Sequence, residues 1–410
     1  MAARSLPHAE LAAFERLARI PQRLEAALAM EHWPPERRAA WVRERLAALG
    51  VAADAPITER ADLRGRVRPA GPVVERVTSG STGRPVRVWH GPATVGWAAA
   101  ARLRQLAWFG LGPGPQPQAN MRIAAAPDDP LWWEDPRHPS LVWINPYALA
   151  AGRATELHEA LVARGGVRLV GAESSLLEQW ALAVRGAGVD GRELGIALAV
   201  AGGEMTFAAQ REAAAGAFGC AVADMYGSHE CGILATQCPE GSMHVAEEAV
   251  RIELVDAAGR PVGAGRPGEV VVTLLHNAEQ PLVRYRLGDV ARFVAGTCAC
   301  GRTLARLDVE LGRREDMVVG SDGALLHPRF LRTLYERRFG DALVAFDTVQ
   351  SGPAAFRVRL ELTAPAPPGT AEALAEGIGA YVGRRVEVAL ETGAVRRSPG
   401  KLRTFTRQPT

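Results

Sequence analysis

Between Val77 and Gly91 the chain reads VTSGSTGRPVRVWHG, a run in which glycines alternate with hydroxyls and an arginine follows. Thr78, Ser79, Gly80, Ser81, Thr82, Gly83 and Arg84 offer freed backbone N–H groups, four hydroxyl donors and a counter-charge. That is the equipment needed to hold a polyphosphate. The run matches neither G-x-x-x-x-G-K-[ST] nor G-x-G-x-x-G, so the residues alone also allow a flexible surface turn.

A second candidate sits near the other end. Of 48 basic residues, 47 are arginine and one is lysine, Lys401, in RRSPGKLRTF. A lysine kept against that bias points to a task for a compact, mobile ammonium that a planar guanidinium cannot perform. An accidental exposed lysine is the alternative. The third candidate is metallic. Cys238 and His244 in QCPEGSMH, with Cys298 and Cys300 in CAC, form a Cys₃His set that suits tetrahedral zinc. The long gap between the pairs, and a C-x-C tighter than C-x₂-C, leave ordinary turn residues as the plainer reading. Cys231 competes with Cys238 as a ligand, and Cys220 in AFGCAV reads as core. In LWWEDPRHPSLVWINPY, Trp132, Trp133, Trp143 and Tyr147 could border a flat aryl group, although paired tryptophans more often mark core or interface. Arg137 and His138 in the same segment carry no assignment.

These groups need positioning elements. The first sixty residues read as helices, with Thr58 as N-cap of a short one, and a helix is expected from Ala93 to Phe109. The middle alternates strand and helix: VRLVGA, ESSLLEQWALAVRGAG, LGIALAVAGGE, FAAQREAAAGAFG, AVADMYG. That alternation predicts a largely parallel α/β sheet. After Cys238 the chain turns β-rich, predicting a second, mostly antiparallel sheet or barrel. Past LGRREDMVV a small α+β unit follows, with a boundary near Gly312 that gives domains 1–312 and 313–410.

The whole chain sets limits. At 410 residues and 48% hydrophobic content it can bury a large core in two domains. It contains no apolar run of 18 residues, and its N-terminus reads as an amphipathic helix, not a signal peptide. A net charge of +3 is too small to predict nucleic-acid or membrane binding. Five cysteines, an odd number, argue against a secreted disulfide framework, so a reducing cytoplasm is expected.

TSGSTGRP resembles the phosphate loop of the adenylate-forming superfamily, which includes acyl- and aryl-CoA ligases, peptide-synthetase adenylation domains and luciferases. Five further segments follow in the superfamily's order: GGE at Gly202–Glu204, YGSHE at Tyr226–Glu230, YRLGD at Tyr285–Asp289, GRRED at Gly312–Asp316, and SPGK ending at Lys401. The short length, PLVRYRLGD and CACGRTLARLDVELGRREDM are most similar to the phenylacetate–CoA ligase family. The resemblance implies an α/β fold with a large N-terminal domain of mixed sheets and a β-rich subdomain, plus a small mobile α+β C-terminal lid. It also implies a two-step ligase: a carboxylic acid, expected to be aromatic, and ATP give an acyl-adenylate and pyrophosphate, and a thiol then takes the acyl group.

Roles follow by the same resemblance. Thr78 to Gly83 hold the β- and γ-phosphates. Gly203 and Glu204 line the adenine slot, Tyr226 stacks on the base, and Gly227 and Ser228 complete that nucleotide-binding segment. Glu230 binds Mg²⁺, Asp289 accepts the ribose hydroxyls, and Arg313 supports the ribose. Lys401 bridges the carboxylate and the α-phosphate; a randomly placed lysine would land there about 1 time in 48. Members of the phenylacetate–CoA ligase family carry a Cys/His cluster between these motifs, which implies a structural zinc. Coenzyme A is the implied thiol, with a carrier protein or an amine as other acceptors, and a homodimer is the family expectation. Two departures stand out. His229 replaces the usual threonine or serine and could donate a hydrogen bond, act as a base or reshape the acid pocket. Glu315 replaces the usual hinge aspartate or lysine, and VVGSDGALLHP is less glycine-like than expected, which bears on lid motion. A non-catalytic, zinc-stabilised nucleotide-binding protein is the alternative of another class.

Overall fold

The computed structural model describes residues 14, 16–52, 55–77, 86–121, 129–136, 138–150, 152–263, 265–309, 318–321, 325–326, 328–395 and 405–408. Thr78 to Arg84, Arg137, Arg313, Glu315 and Lys401 lie outside the described residues. The chain forms two compact units, Met1–Leu287 with Ala291–Asp308, and Gly288–Val290 with Val309–Thr410.

In the first unit, helices α1 (Ile20–Met30) and α2 (Pro35–Ala48) precede a two-stranded antiparallel hairpin, β1 (Val74–Val77) and β2 (Arg87–His90). Helix α3 (Pro92–Trp108) follows directly, opened by a proline at its first position, where no N–H is needed. Then come β3 (Gln118–Met121), β4 (Trp132–Asp135), β5 (His138–Ile144), α4 (Pro146–Ala150), α5 (Ala154–Ala163), β6 (Leu169–Glu173), α6 (Ser174–Ala187), β7 (Leu198–Gly202), α7 (Ala208–Phe218) and β8 (Ala221–Ser228). The strands β5, β3, β6, β7 and β8 run parallel. Alternate residues serve opposite faces, as the pleat requires. Val170 and Ala199 join the cluster around Trp180, Leu157 and Phe218, while Leu169, Leu198 and Val200 pack with Leu106 of α3.

The β-rich segment behaves differently from the expectation. Strands β9 (Gly232–Gln237), β10 (Met243–Val245), β11 (Val250–Val255), β12 (Gly268–Leu274), β13 (Tyr285–Val294) and β14 (Arg306–Asp308) form no separate sheet or barrel. They extend the parallel half into one twelve-stranded mixed sheet, ordered β11-β12-β13-β14-β10-β9-β8-β7-β6-β3-β5-β4. The cause is local. The chain reverses between Ser228 and Gly232, so β9 returns antiparallel along the free edge of β8, and beyond it lie β10, then β14, β13, β12 and β11.

The second unit contains a short hairpin, β15 (Val318–Val319) and β16 (Leu325–Leu326), helix α8 (Arg329–Phe339), β17 (Leu343–Gly352), β18 (Ala355–Leu362), α9 (Thr370–Val382), β19 (Glu387–Thr392) and β20 (Phe405–Arg407). Its four-stranded sheet has the order β19-β18-β17-β20. Leu331 and Tyr335 of α8, Leu374 and Ile378 of α9, and Phe356, Val358 and Leu360 of β18 fill the core. Among the described residues no helix is long and apolar enough to cross a membrane.

Candidate active site

In an open parallel sheet, ligands gather beyond the carboxyl ends of the strands. Here β6, β7 and β8 end in Glu173, Gly202 and Ser228, and the GGE and YGSHE segments begin at those ends. Gly203 has φ of +80° and is exposed, a backbone that side chains rarely adopt, and it turns the chain sharply off β7. Glu204 then swings back to accept the N–H of Ser175 in the first turn of α6, capping that helix. Tyr226 is half-buried on β8, at the irregular step of its pairing with β9. A Cβ on Gly227 would lie 2.3 Å from the Gly232 carbonyl oxygen, so only glycine allows the tight return to β9. Ser228 Oγ accepts the Cys231 N–H at 3.1 Å and builds the same turn.

His229 and Glu230 sit at its tip. His229 is exposed, and its Nδ1–H donates to the carbonyl of Val77 at 2.9 Å. In that tautomer Nε2 carries the lone pair, and a ring donating at both nitrogens is the imidazolium. Glu230 is buried, and its backbone carbonyl accepts from His90 Nε2 at 2.8 Å. Val77 ends β1 and His90 ends β2. Both strands that flank TSGSTGRP are therefore hydrogen-bonded to the His229–Glu230 pair.

The carboxylate of Glu230 has partners the sequence did not announce. Arg60 Nη1 donates to Oε1 at 2.7 Å, and the Tyr285 hydroxyl donates to the same oxygen at 3.4 Å. Burial, then the charge of Glu230, push the Tyr285 phenol above its usual range, so it stays a donor. Asp289 lies four residues on along β13, half-buried. The helix expected from Thr58 starts one residue later. Thr58 instead bridges to Tyr285, with its N–H on the Arg284 carbonyl and its Oγ1–H on the Val283 carbonyl, and a 3₁₀ turn spans Arg60–Leu63. Tying Thr58 to β13 leaves Glu59 as the cap.

The aromatic segment lies elsewhere. Trp133 pairs with Trp143 across β4 and β5, and Trp143 Nε1–H donates to Asp135. β4 is the edge strand, five strand spacings from β8, which is about 24 Å at ~4.8 Å each. That separation favours the edge-packing reading over a border for the substrate. His138 is exposed on β5.

Cys238, His244, Cys298 and Cys300 converge, with all four ligand atoms within 4.8 Å of one another. Zn–S bonds of about 2.3 Å at a tetrahedral angle would separate two sulfurs by about 3.8 Å. The Cys238 and Cys298 sulfurs stand 3.8 Å apart, and Cys300 Sγ is 3.3 Å from His244 Nε2. His244 Nδ1–H donates to the Leu304 carbonyl at 3.4 Å, the orienting bond that metal-binding imidazoles use. Tight turns at Cys238–Gly241 and Cys298–Gly301 present the thiols. Burial pushes Cys238 up to about 12, whereas hydrogen bonds from Ser242 and its neighbours outweigh burial at Cys298 and bring it to about 7. Cys231 is buried at the β8–β9 turn and is not one of the four; Cys220 packs against the core around Trp180.

A buried histidine, His90, and a half-buried one, His276, both outside that cluster, give a pH prediction. Burial lowers both His90 and His276 to about 4 from an ordinary 6.5, helped at His90 by the charge of Arg76. Below pH 6.5 the unfolded chain takes up protons that the folded chain refuses, so stability falls as pH drops from 6.5 toward 4. Each site contributes at most roughly 3 kcal/mol. Calorimetric melting from pH 7 to 4 should show a falling midpoint, and His276→Gln should flatten the fall.

No family model matches the chain. It is 31% identical over 176 residues to a phenylacetate-coenzyme A ligase of Thermus thermophilus, a match covering 41% of this chain and 39% of that protein's length. Among solved structures, a 2-hydroxyisobutyryl-CoA ligase in the postadenylation state aligns over 98% of this chain and 90% of its own, at TM-score 0.66 and 19% identity. An amide bond synthetase of Marinactinospora thermotolerans aligns over 81% of this chain and 67% of its own, at TM-score 0.52 and 17% identity. The chain is thus similar in sequence, over 41% of its length, to a phenylacetate-coenzyme A ligase, and in fold, over 98% of its length, to a 2-hydroxyisobutyryl-CoA ligase.

Proposed function

We propose that this protein is an ATP-dependent carboxylate–thiol ligase, acting on an aryl acid and coenzyme A. A carboxylate oxygen attacks the α-phosphorus of ATP and pyrophosphate leaves; the thiol sulfur then attacks the acyl carbon of the acyl-adenylate and AMP leaves. The observation that carries this reading is the tie between the two strands that flank TSGSTGRP and the YGSHE turn. Val77 and His90, on either side of the loop, bond to His229 and Glu230.

In this reading Thr78, Ser79, Gly80, Ser81, Thr82, Gly83 and Arg84 receive the β- and γ-phosphates. Gly203, Glu204, Tyr226, Gly227 and Ser228 border the adenine, and Asp289 and Arg313 hold the ribose. Glu230, a buried carboxylate already gathering positive charge, suits Mg²⁺, which when bound neutralises the phosphates. Lys401 places an ammonium at the carboxylate and α-phosphate, on the lid assigned to residues 313–410. The four clustered ligands suit a structural zinc, which when bound cross-links two turns.

The test is acid-dependent pyrophosphate release over a panel of aryl and alkyl acids, followed by addition of coenzyme A, amines or a carrier thiol. One aryl acid should dominate, and coenzyme A should convert the adenylate to a thioester seen by mass. An amine product instead would move the protein to the amide-forming branch. ATP binding with no acid-dependent release would favour the non-catalytic alternative. Glu230→Gln should lower pyrophosphate release by about 100-fold, the loss seen when one electrostatic partner of a reacting group is removed.

A further inference from the structure

We infer that Arg60 is a positioning residue that serves as the resident counter-ion of Glu230 and yields the carboxylate when Mg·ATP enters, so that metal and nucleotide bind together and metal alone does not. This rests on the ligase reading. Glu230 is 7% exposed, and an ionised carboxylate so placed needs a partner at all times. Arg60 supplies it, at 2.7 Å, from 170 residues away in the chain.

The pair is built rather than casual. The turn that carries Arg60 is held by the Thr58 N–H and carbonyl on the backbone of Arg284 and Arg286, and by Thr58 Oγ1–H on Val283. The Asp62 carboxylate accepts the Glu59 N–H at 2.8 Å, and the Glu59 carboxylate pairs with Arg286 at 2.9 Å. Arg60 leaves a fixed point. Its side chain is nonetheless 27% exposed against 8% for that of Glu230, so the guanidinium has far more solvent to turn toward than the carboxylate.

The contact uses only part of the acid. Arg60 and Tyr285 both address Oε1, and among the described residues Oε2 has no hydrogen-bond partner. One oxygen is thus open, yet a second cation there faces the charge of Arg60 a few ångströms away. Phosphate changes the balance, because it offers the guanidinium a better, bidentate partner next to the turn. Arg60 can then exchange the carboxylate for another anionic partner.

The experiment is Mn²⁺ binding by electron paramagnetic resonance on the full-length protein, with and without α,β-methylene-ATP. Wild type should bind little Mn²⁺ alone and one ion with the analogue. Arg60→Met should bind Mn²⁺ without nucleotide at least tenfold more tightly than wild type, and adding Glu230→Gln should remove that gain. Arg60→Lys, which keeps the charge and guards against a folding defect in the methionine variant, should stay within threefold of wild type. Tight Mn²⁺ binding by nucleotide-free wild type, or no gain in Arg60→Met while Arg60→Lys is folded and unchanged, overturns the role of Arg60 alone. No ion bound by wild type with the analogue, together with no pyrophosphate release from any acid, overturns the ligase reading and this inference with it.

Discussion

On the proposed ligase reading, Lys401→Arg should lower acid-dependent pyrophosphate release by about 100-fold or more while ATP affinity changes by less than about threefold. Charge is conserved in this change, so a purely long-range electrostatic role predicts little loss. A role at the reacting atoms predicts a large one. An ammonium can sit between a carboxylate oxygen and an α-phosphate oxygen and follow both as the new P–O bond forms. The guanidinium is wider, planar and prefers two parallel contacts to one anion. The chain uses arginine at 47 of its 48 basic positions, so arginine is the natural replacement and the discriminating one. Paired measurements of pyrophosphate release and of ATP binding by calorimetry separate the two roles, and undiminished release from the arginine variant would remove the lysine from the chemistry.

The second large effect concerns stability. The purified protein should carry one zinc per chain by elemental analysis. Cys298→Ala should lose that metal and lower the melting midpoint by about 10 °C or more, since structural zinc contributes several kcal/mol directly to folding. Strong chelation of wild type should reproduce the shift, and Zn²⁺ should reverse it. Cys231→Ala and Cys220→Ala should keep the metal, because neither thiol lies in the cluster. A full zinc complement in Cys298→Ala would show that the four residues are not its ligands. Activity should fall only in proportion to unfolded protein, since four protein ligands leave no open position for chemistry.

Much of the architecture was legible in the sequence because it is local. The strand–helix alternation from VRLVGA to AVADMYG, and the helix and strands after LGRREDMVV, follow from periodicity and capping glycines such as Gly188 and Gly219. Sheet membership was not legible. Whether β9 to β14 form their own layer depends on which edge they pair with, and that is decided by the reversal at Ser228–Gly232 rather than by the strands' composition. The motif residues stood out by type and order. Their partners did not. Arg60 is one arginine among 47, and nothing local marks it as the counter-ion of a glutamate 170 residues away. The Val77 carbonyl is a backbone acceptor, which no side-chain pattern reports. His90 carries a weak signal, a histidine ending the strand after the loop, and that could have drawn attention to it. Thr58 was misplaced for a related reason: its hydroxyl fits a cap, but a distant strand offered its backbone better bonds.

The cysteine pairs have a consequence for how the protein is made. Sixty residues separate Cys238 from Cys298, and they contain β10 to β13. The site cannot close while this stretch is still being synthesised, because two of its three thiols have yet to emerge. Until β14 lies against β10, the two turns have no reason to meet. If the proposed zinc binds there, its capture is a late event that reports completed registry of the antiparallel strands. A chain stalled before Gly301, or mispaired along that edge, would present loose thiols to the quality-control machinery instead of a sealed knot.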